Sequence, residues 1–227
     1  MKQTESSIPD APGAVETSRE RILRVSADLF AEKGYHATGI TEILDAVGLG
    51  RSALYHHIRS KENLLYDISI APLREVVVEA RRIADLDATA ADRIVLLSQD
   101  RLKTVSRRRS QWNVALYQSS NLSPELRAEV DLTLELYEAI WERVLMEGME
   151  AGEWNPVPPL VLKGILGMLN GTYLWLDPAG ELAPAEIAQM FANLVLLGLR
   201  KRPDIVQNWL SPDTVVDFGG IAGGIEP

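Results

Sequence analysis

The stretch GLGRSALYHHIRSKENLL, residues 48–65, decides how the rest of the chain is read. Its two apolar anchors, Leu54 and Ile58, lie four apart and so on one helical face, among Arg51, Ser52, Tyr55, His56, His57, Arg59 and Lys61. Ahead of them Gly48-Leu49-Gly50 makes a tight turn, and before the turn Ile40, Ile43, Leu44 and Val47 form the apolar face of another short helix. Two short amphipathic helices joined at a glycine turn are the pattern of a helix-turn-helix. In that arrangement Leu54 and Ile58 pack on Ile43 and Val47, while Ser52, Ala53 and His56 face outward with Tyr55 on the flank. Arg51 sits in the first turn, where a recognition helix meets the major groove and an arginine can donate twice to guanine. Tyr55 and His56 suit phosphates beside the groove. Lys61 opens the next helix, where free N–H groups add to its ammonium. The plainer alternative is a solvated helix face with an ordinary charge mix.

The charge distribution keeps the DNA reading open. Formal net charge over 227 residues is -9, yet Arg19 to Tyr66 carries seven basic groups against six acidic ones, and all three histidines. Phosphate binding is local, so a few cations on one face suffice in an acidic protein. There is no cysteine, hence no disulfide and no thiolate metal site, which suits a reducing cytoplasm. Residues 1–16 lack the apolar run of a signal peptide and read as a disordered tail. The most apolar stretches, Leu160 to Leu176 and Ile187 to Leu199, are interrupted by Lys163, glycines, Gln189 or Asn193, and read as buried helices rather than membrane spans.

Upstream, Thr17-Ser18-Arg19-Glu20 has capping-box spacing and predicts a helix start, with Ile22, Leu23, Ala27 and Phe30 as its inner face and Gly34 as its stop. Downstream, Ser60 predicts the cap of a fourth helix running from Lys61 into the eighties, kinked at Pro72. Further helices are expected at about 89–107, 110–118, 124–151, 159–175 and 184–201, with Ser123 as a cap before Pro124 and Asp177-Pro178-Ala179-Gly180 as a turn. A short helix near Trp209 precedes a glycine-rich tail. The fold class is all-α: a disordered tail at 1–16, a DNA-binding module at 17–66, a larger bundle at 67–202 and a tail at 203–227.

Residues 18–65 closely resemble the DNA-binding domain of the TetR family of repressors. The most specific matches are Leu29-Phe30, Lys33-Gly34-Tyr35, Ala37-Thr38, Ile43, Ala46, Gly48, Leu54-Tyr55-His56 and Ser60-Lys61-Glu62. The resemblance implies a homodimeric regulator that binds a double-stranded DNA operator and senses a small molecule with its C-terminal domain. Carried to matching positions, it implies DNA contacts by Arg51, Ser52, Tyr55, His56 and Lys61, with Thr38 near a phosphate. The chain departs at Gly39 and Gly50, where the family often has a hydroxyl cap, and at Ala53, often threonine.

All five tryptophans fall after residue 70. Trp112, Leu116, Tyr117, Tyr137, Trp141, Met168 and Tyr173 can line an apolar effector cavity, with Gln118, Asn121 or Asn170 as polar fixers; taken singly each reads more readily as simple core, and some of the set are expected to line the pocket. From Tyr117 to Leu199 the pattern of an aromatic, Leu-x-Pro at 122–124, Trp141, Gly148, Gly152, the WLDPAGEL turn and a final apolar helix resembles the ligand domain of TetR-type regulators of steroid and fatty-acid catabolism, members that respond to acyl-CoA thioesters. The stretch LGMLNGTYLW has no basic residue, which favours an apolar effector over a CoA. Arg107-Arg108-Arg109 can hold phosphates or complement a helix dipole. Self-association is expected through the last two helices: Gly164, Gly167 and Gly171 would admit a close helix, and Ile187, Met190, Phe191, Leu194 and Leu197 form an apolar stripe.

An enzyme is not expected, because the larger domain has neither histidine nor cysteine for a Ser-His or Cys-His nucleophile. Neither a cofactor nor a metal is expected; His56 and His57 are adjacent on a helix and diverge. The other reading is a helical adaptor or ligand-binding protein without DNA binding, for which a missing Arg51 or Lys61 would be the mark; both are present.

Overall fold

A computed structural model describes residues 16–200; the first fifteen residues, the helix expected near Trp209 and the C-terminal tail lie outside this range. Among the described residues there are nine α-helices: α1 (Ser18–Lys33), α2 (Ile40–Val47), α3 (Arg51–His57), α4 (Lys61–Ala84), α5 (Ala90–Arg107), α6 (Arg109–Tyr117), α7 (Pro124–Glu150), α8 (Pro159–Gly171) and α9 (Pro184–Leu199). Short 3₁₀ turns follow α6 and α8, at Ser119–Asn121 and Thr172–Leu174. The helix expected to run on to residue 175 therefore tightens after Gly171.

Helix starts follow local chemistry. Thr17 and Glu20 close the capping box of α1, each side chain satisfying the other's backbone N–H. Ser60 caps α4 and Thr89 caps α5 through their hydroxyls. Ser123 departs from expectation: its hydroxyl makes no cap bond to α7. Instead its backbone N–H donates to Glu62 Oε1 at 2.8 Å, tying the start of α7 to the first turn of α4. Pro72 does not interrupt α4, which continues through it with the ring buried.

Ile22, Phe30, Ile43, Val47, Leu54 and Ile58 are buried together, so the three small helices share one core as the sequence requires. That core continues without a break into the bundle, because α1 also packs on α4 and α6. Within the bundle α5 is central, touching α4, α6, α7, α8 and α9. At the end remote from α3, Gly152 takes φ 75° and turns the chain after α7, so that Glu153 caps the start of α5 through the Ala90 and Ala91 N–H groups. Trp154 is buried beside this turn, its indole N–H donating to the Leu145 carbonyl at 3.0 Å. Its backbone pairs with Arg200 past the end of α9.

Candidate DNA interface and effector core

In α3 the burial pattern separates support from display. Leu54 is fully buried, whereas Arg51, Ser52, Ala53, Tyr55 and His56 are exposed on the opposite side. Gly48 has φ 72°, the left-handed value the turn between α2 and α3 needs. Gly39 and Gly50 precede α2 and α3 without any side-chain cap, so the first N–H groups of α3 have no partner from a capping side chain. Lys61 stands at the start of α4 with its ammonium 4.4 Å above the Tyr35 ring, and burial there lowers its pKa from the ordinary lysine value. Tyr35 is itself held edge-on by Phe30 at 5.3 Å.

Thr38 is placed otherwise than expected. It is fully buried, and its hydroxyl donates toward the Gly34 carbonyl at 3.0 Å and the Leu29 carbonyl at 3.3 Å. The hydroxyl thus fastens the end of α1 to the approach of α2 and is not free for a phosphate. His56 and His57 stand edge to face at 5.4 Å, and no group of three or more metal-ligating side chains occurs among the described residues.

The expected effector residues divide into three places. Trp112, Tyr137 and Trp141 are buried in the core between α6 and α7, with the Tyr137 and Trp141 rings 6.3 Å apart. Leu116 and Met168 are half-buried, Leu116 against this core. Tyr117 is exposed and lies 5.4 Å from Tyr173, a pair at the surface end of α6 rather than a cavity wall. Asn121 is at a domain seam: its amide donates to Gln118, whose Oε1 accepts the Tyr35 N–H at 3.3 Å. The hydrogen bonds of Gln118 and Asn121 therefore run toward the N-terminal module and not into the aromatic cluster.

The sequence reading missed Arg101. It is 1% exposed, with its guanidinium 3.4 Å above the Trp112 ring and 5.1 Å from that of Tyr137. Nε donates to Asn170 Oδ1 at 2.9 Å, and Nη2 donates to the same oxygen. Burial pulls its pKa down to about 10 and pushes that of Tyr137 up; the Arg101 charge and the Trp141 N–H draw Tyr137 part of the way back, although Trp141 does not reach hydrogen-bond geometry. A signal was available: Arg101 falls four residues after Leu97 and four before Val105, on the buried stripe of an amphipathic helix where a lone cation is out of place.

Of the arginine run, Arg108 pairs with Glu75 of α4 at 2.9 Å. Arg109 donates to the Tyr173 and Leu174 carbonyls at 2.5 and 3.0 Å, complementing the end of the segment after α8. An open cleft of about 390 Å³ lies beside them against α1, lined by charges of both signs such as Arg24, Asp28 and Arg107. It is separate from the buried aromatics.

On the outside of α8 and α9 an apolar face is open. A Cβ added at Gly164, Gly167 or Gly171 would meet nothing within 4 Å, and Met190, Leu194 and Leu197 are exposed beside Leu160, Leu174 and Trp175. Two expected members turn inward: Ile187 is buried within the subunit, and Phe191 is half-buried against Trp175 with ring centres 6.2 Å apart.

Residues 22–68 match the family model for bacterial regulatory proteins of the tetR family, and residues 87–199 match that for the tetracyclin repressor-like C-terminal domain. The HTH-type transcriptional repressor KstR2 of Mycolicibacterium smegmatis is 26% identical over 84% of this chain and 95% of its own. The solved ketosteroid transcriptional regulator KstR2 of Mycobacterium tuberculosis superposes with a TM-score of 0.77 at 26% identity, covering 84% of this chain and 98% of that one. The TetR family regulator PfmR of Thermus thermophilus is 30% identical over 80% of this chain and all of its own, with a TM-score of 0.73. AibR, solved with isovaleryl coenzyme A and operator DNA, gives 0.68 at 28% identity, covering 78% of this chain and 97% of that one. The chain belongs to the TetR family of bacterial regulatory proteins and is a ligand-responsive, DNA-binding transcriptional repressor that works as a dimer.

Proposed function

We propose that residues 17–66 read the operator, that residues 67–202 bind the effector and form the dimer, and that a small apolar or acyl-type molecule entering the α5–α8 core releases the protein from DNA. The observation that carries this reading is the reach of α6. Trp112 lies on the Arg101 guanidinium in the core, and Gln118, just past the end of the same helix, accepts the Tyr35 N–H in the DNA-binding module. A helix of this length moves as a unit, so a displacement at Trp112 is felt at Tyr35 without any contact between effector and DNA. AibR, holding both an acyl-CoA and operator DNA, supports an acyl-type effector.

Arg51 reads a base edge in this scheme, Ser52, Ala53, Tyr55 and His56 line the groove, and Lys61 holds a phosphate. Two subunits join through Gly164, Gly167, Met190, Leu194 and Leu197, with Gly171 at the margin, so that two α3 helices meet half-sites about 34 Å apart or a multiple of it. An effector that favours another separation costs affinity. The protein acts in the cytoplasm, as a regulator and not an enzyme; its relatives are transcriptional regulators, and no described helix is long and apolar enough to cross a membrane.

The test selects an operator from random DNA and follows its anisotropy while fatty acids, steroid acids and their CoA thioesters are added. At least one compound should release the wild type, and Gln118→Ala should bind that compound with similar affinity but release DNA poorly. Compounds that bind the protein and leave operator affinity untouched would remove the proposal.

A further inference from the structure

The buried side-chain atoms without a hydrogen-bond partner include Arg101 Nη1, Trp112 Nε1, Tyr137 OH and Trp141 Nε1. All four belong to one contiguous cluster contributed by α5, α6 and α7. Each has a hydrogen to donate. Buried polar groups in proteins are normally paired, so a cluster of idle donors around a cation needs a cause. The cation is not balanced by the protein: no carboxylate makes an ion pair with Arg101 among the described residues, and its only side-chain hydrogen-bond partner there is the neutral Asn170. Asp100, its neighbour in sequence, attracts it but forms no ion pair with it, and burial with repulsion from Glu79 and Glu75, only partly offset by Lys103, favours the neutral form of that carboxyl. A buried charge without a counter-charge is among the costlier arrangements a fold can hold. Aromatic rings surround it, so what is lacking is an acceptor with negative charge on an apolar body.

We infer that the effector is a free carboxylic acid whose carboxylate pairs with Arg101 through Nη1, with the Trp112, Tyr137 and Trp141 donors as further partners and its apolar body in the aromatic core. The inference rests on the effector site lying in this core, as proposed above. It revises the expectation drawn from the lack of a basic residue in LGMLNGTYLW: the cation is supplied by α5 and reaches α8 through Asn170. It also separates acids from CoA thioesters, whose acyl carbonyl is neutral and has no carboxylate to offer Arg101.

The experiment uses matched probes on full-length protein: decanoate, 1-decanol and decanoyl-CoA, and 2-naphthoate against 2-naphthalenemethanol. Binding is read from tryptophan fluorescence, to which Trp112 and Trp141 contribute, and from the melting temperature. Each acid should bind roughly ten- to a hundredfold more tightly than its alcohol, the range expected of a charge-assisted hydrogen bond. In Arg101→Met the acid should lose that advantage, the alcohol should bind at least as well as before, and the ligand-free protein should melt higher because an unpaired buried charge is gone. An alcohol or a thioester binding as tightly as the acid in the wild type overturns the inference, whether or not Arg101→Met folds. So does a preference for the acid that survives Arg101→Met. Binding by alcohols alone defeats the carboxylate and leaves the core as the effector site; binding by none of the probes at millimolar concentration defeats both.

Discussion

Gly148 and Trp154 together offer a sharp test of how the far end of the bundle is built. A Cβ placed on Gly148 would stand 2.0 Å from Trp154 Cζ2 and 2.4 and 2.5 Å from Cη2 and Cε2, where ordinary contacts are 3.4 Å or more. The ring atoms belong to a rigid indole 3% exposed and pinned by its N–H to Leu145, so they cannot swing aside as a flexible side chain would. Gly148→Ala gains about 1 kcal/mol of helix propensity. Against this, overpacking costs about 1 to 3 kcal/mol, and breaking the indole hydrogen bond costs about 1 to 3 kcal/mol more. The balance is a loss of about 1 to 5 kcal/mol, or roughly 2 to 20 °C in melting temperature for a chain of this size. Because Trp154 pairs with Arg200, the same change should loosen the end of α9 and weaken the dimer. Circular dichroism melts and sedimentation at several concentrations measure both effects. A double-mutant cycle with Trp154→Leu should show favourable coupling of about 1 kcal/mol or more, since removing the indole makes room for the methyl. Should Gly148→Ala raise the melting temperature, as alanine does at an exposed helical glycine, the packing described for Trp154 is wrong.

Other outcomes follow from the DNA-binding module and from α5. Arg51→Ala should cost about 1 to 3 kcal/mol on the operator and much less on random DNA, whereas Lys61→Ala should weaken both alike and reduce the salt slope by about one unit; titrations at several salt concentrations distinguish them. Thr38→Val should destabilise the fold by about 1 kcal/mol while leaving the operator affinity of the folded protein unchanged, as melts beside DNA titrations would show. Asp100 is held protonated up to about 6 by burial, with Glu79 nearby, against an ordinary value of 3.8. The folded state therefore binds an extra proton between these values, and its stability falls as pH rises through that window and stays low above it. Asp100→Asn should stabilise the protein by about 1 to 2 kcal/mol at about pH 8 and by nothing at about pH 3.5, measured by urea unfolding at both.

The helix-turn-helix was legible because its signals are local. Glycine positions, a capping box and apolar residues four apart specify α1 to α4 without knowledge of the rest. The proposed effector core was legible only as a pool of large apolar residues, since periodicity reports which residues are inside and not which of them meet. Trp112, Tyr137 and Trp141 were placed correctly in the interior by that rule, while Tyr117 and Asn121 lie at helix ends, where one residue of frame separates core from seam. Arg101 escaped notice because a charge on a helix is ordinarily read as solvated. Thr38 was assigned through its position in a motif, and no pattern of apolar residues reveals whether a hydroxyl donates outward or to a carbonyl four residues back.

The unbroken run of α4 also has a mechanical consequence. At about 1.5 Å per residue its 24 residues make a rod of about 36 Å. A tilt of about 5° at the end remote from α3 carries the other end through about 3 Å, close to the 3.4 Å between successive base pairs. Pro72, near the midpoint, has no N–H for the carbonyl one turn before it, so the rod is softest there. If bending gathers at that point, the arm is about 18 Å and the same angle gives about 1.5 Å, less than half a base-pair step. The place of one proline along a helix thus sets how far a given angular change travels at the DNA.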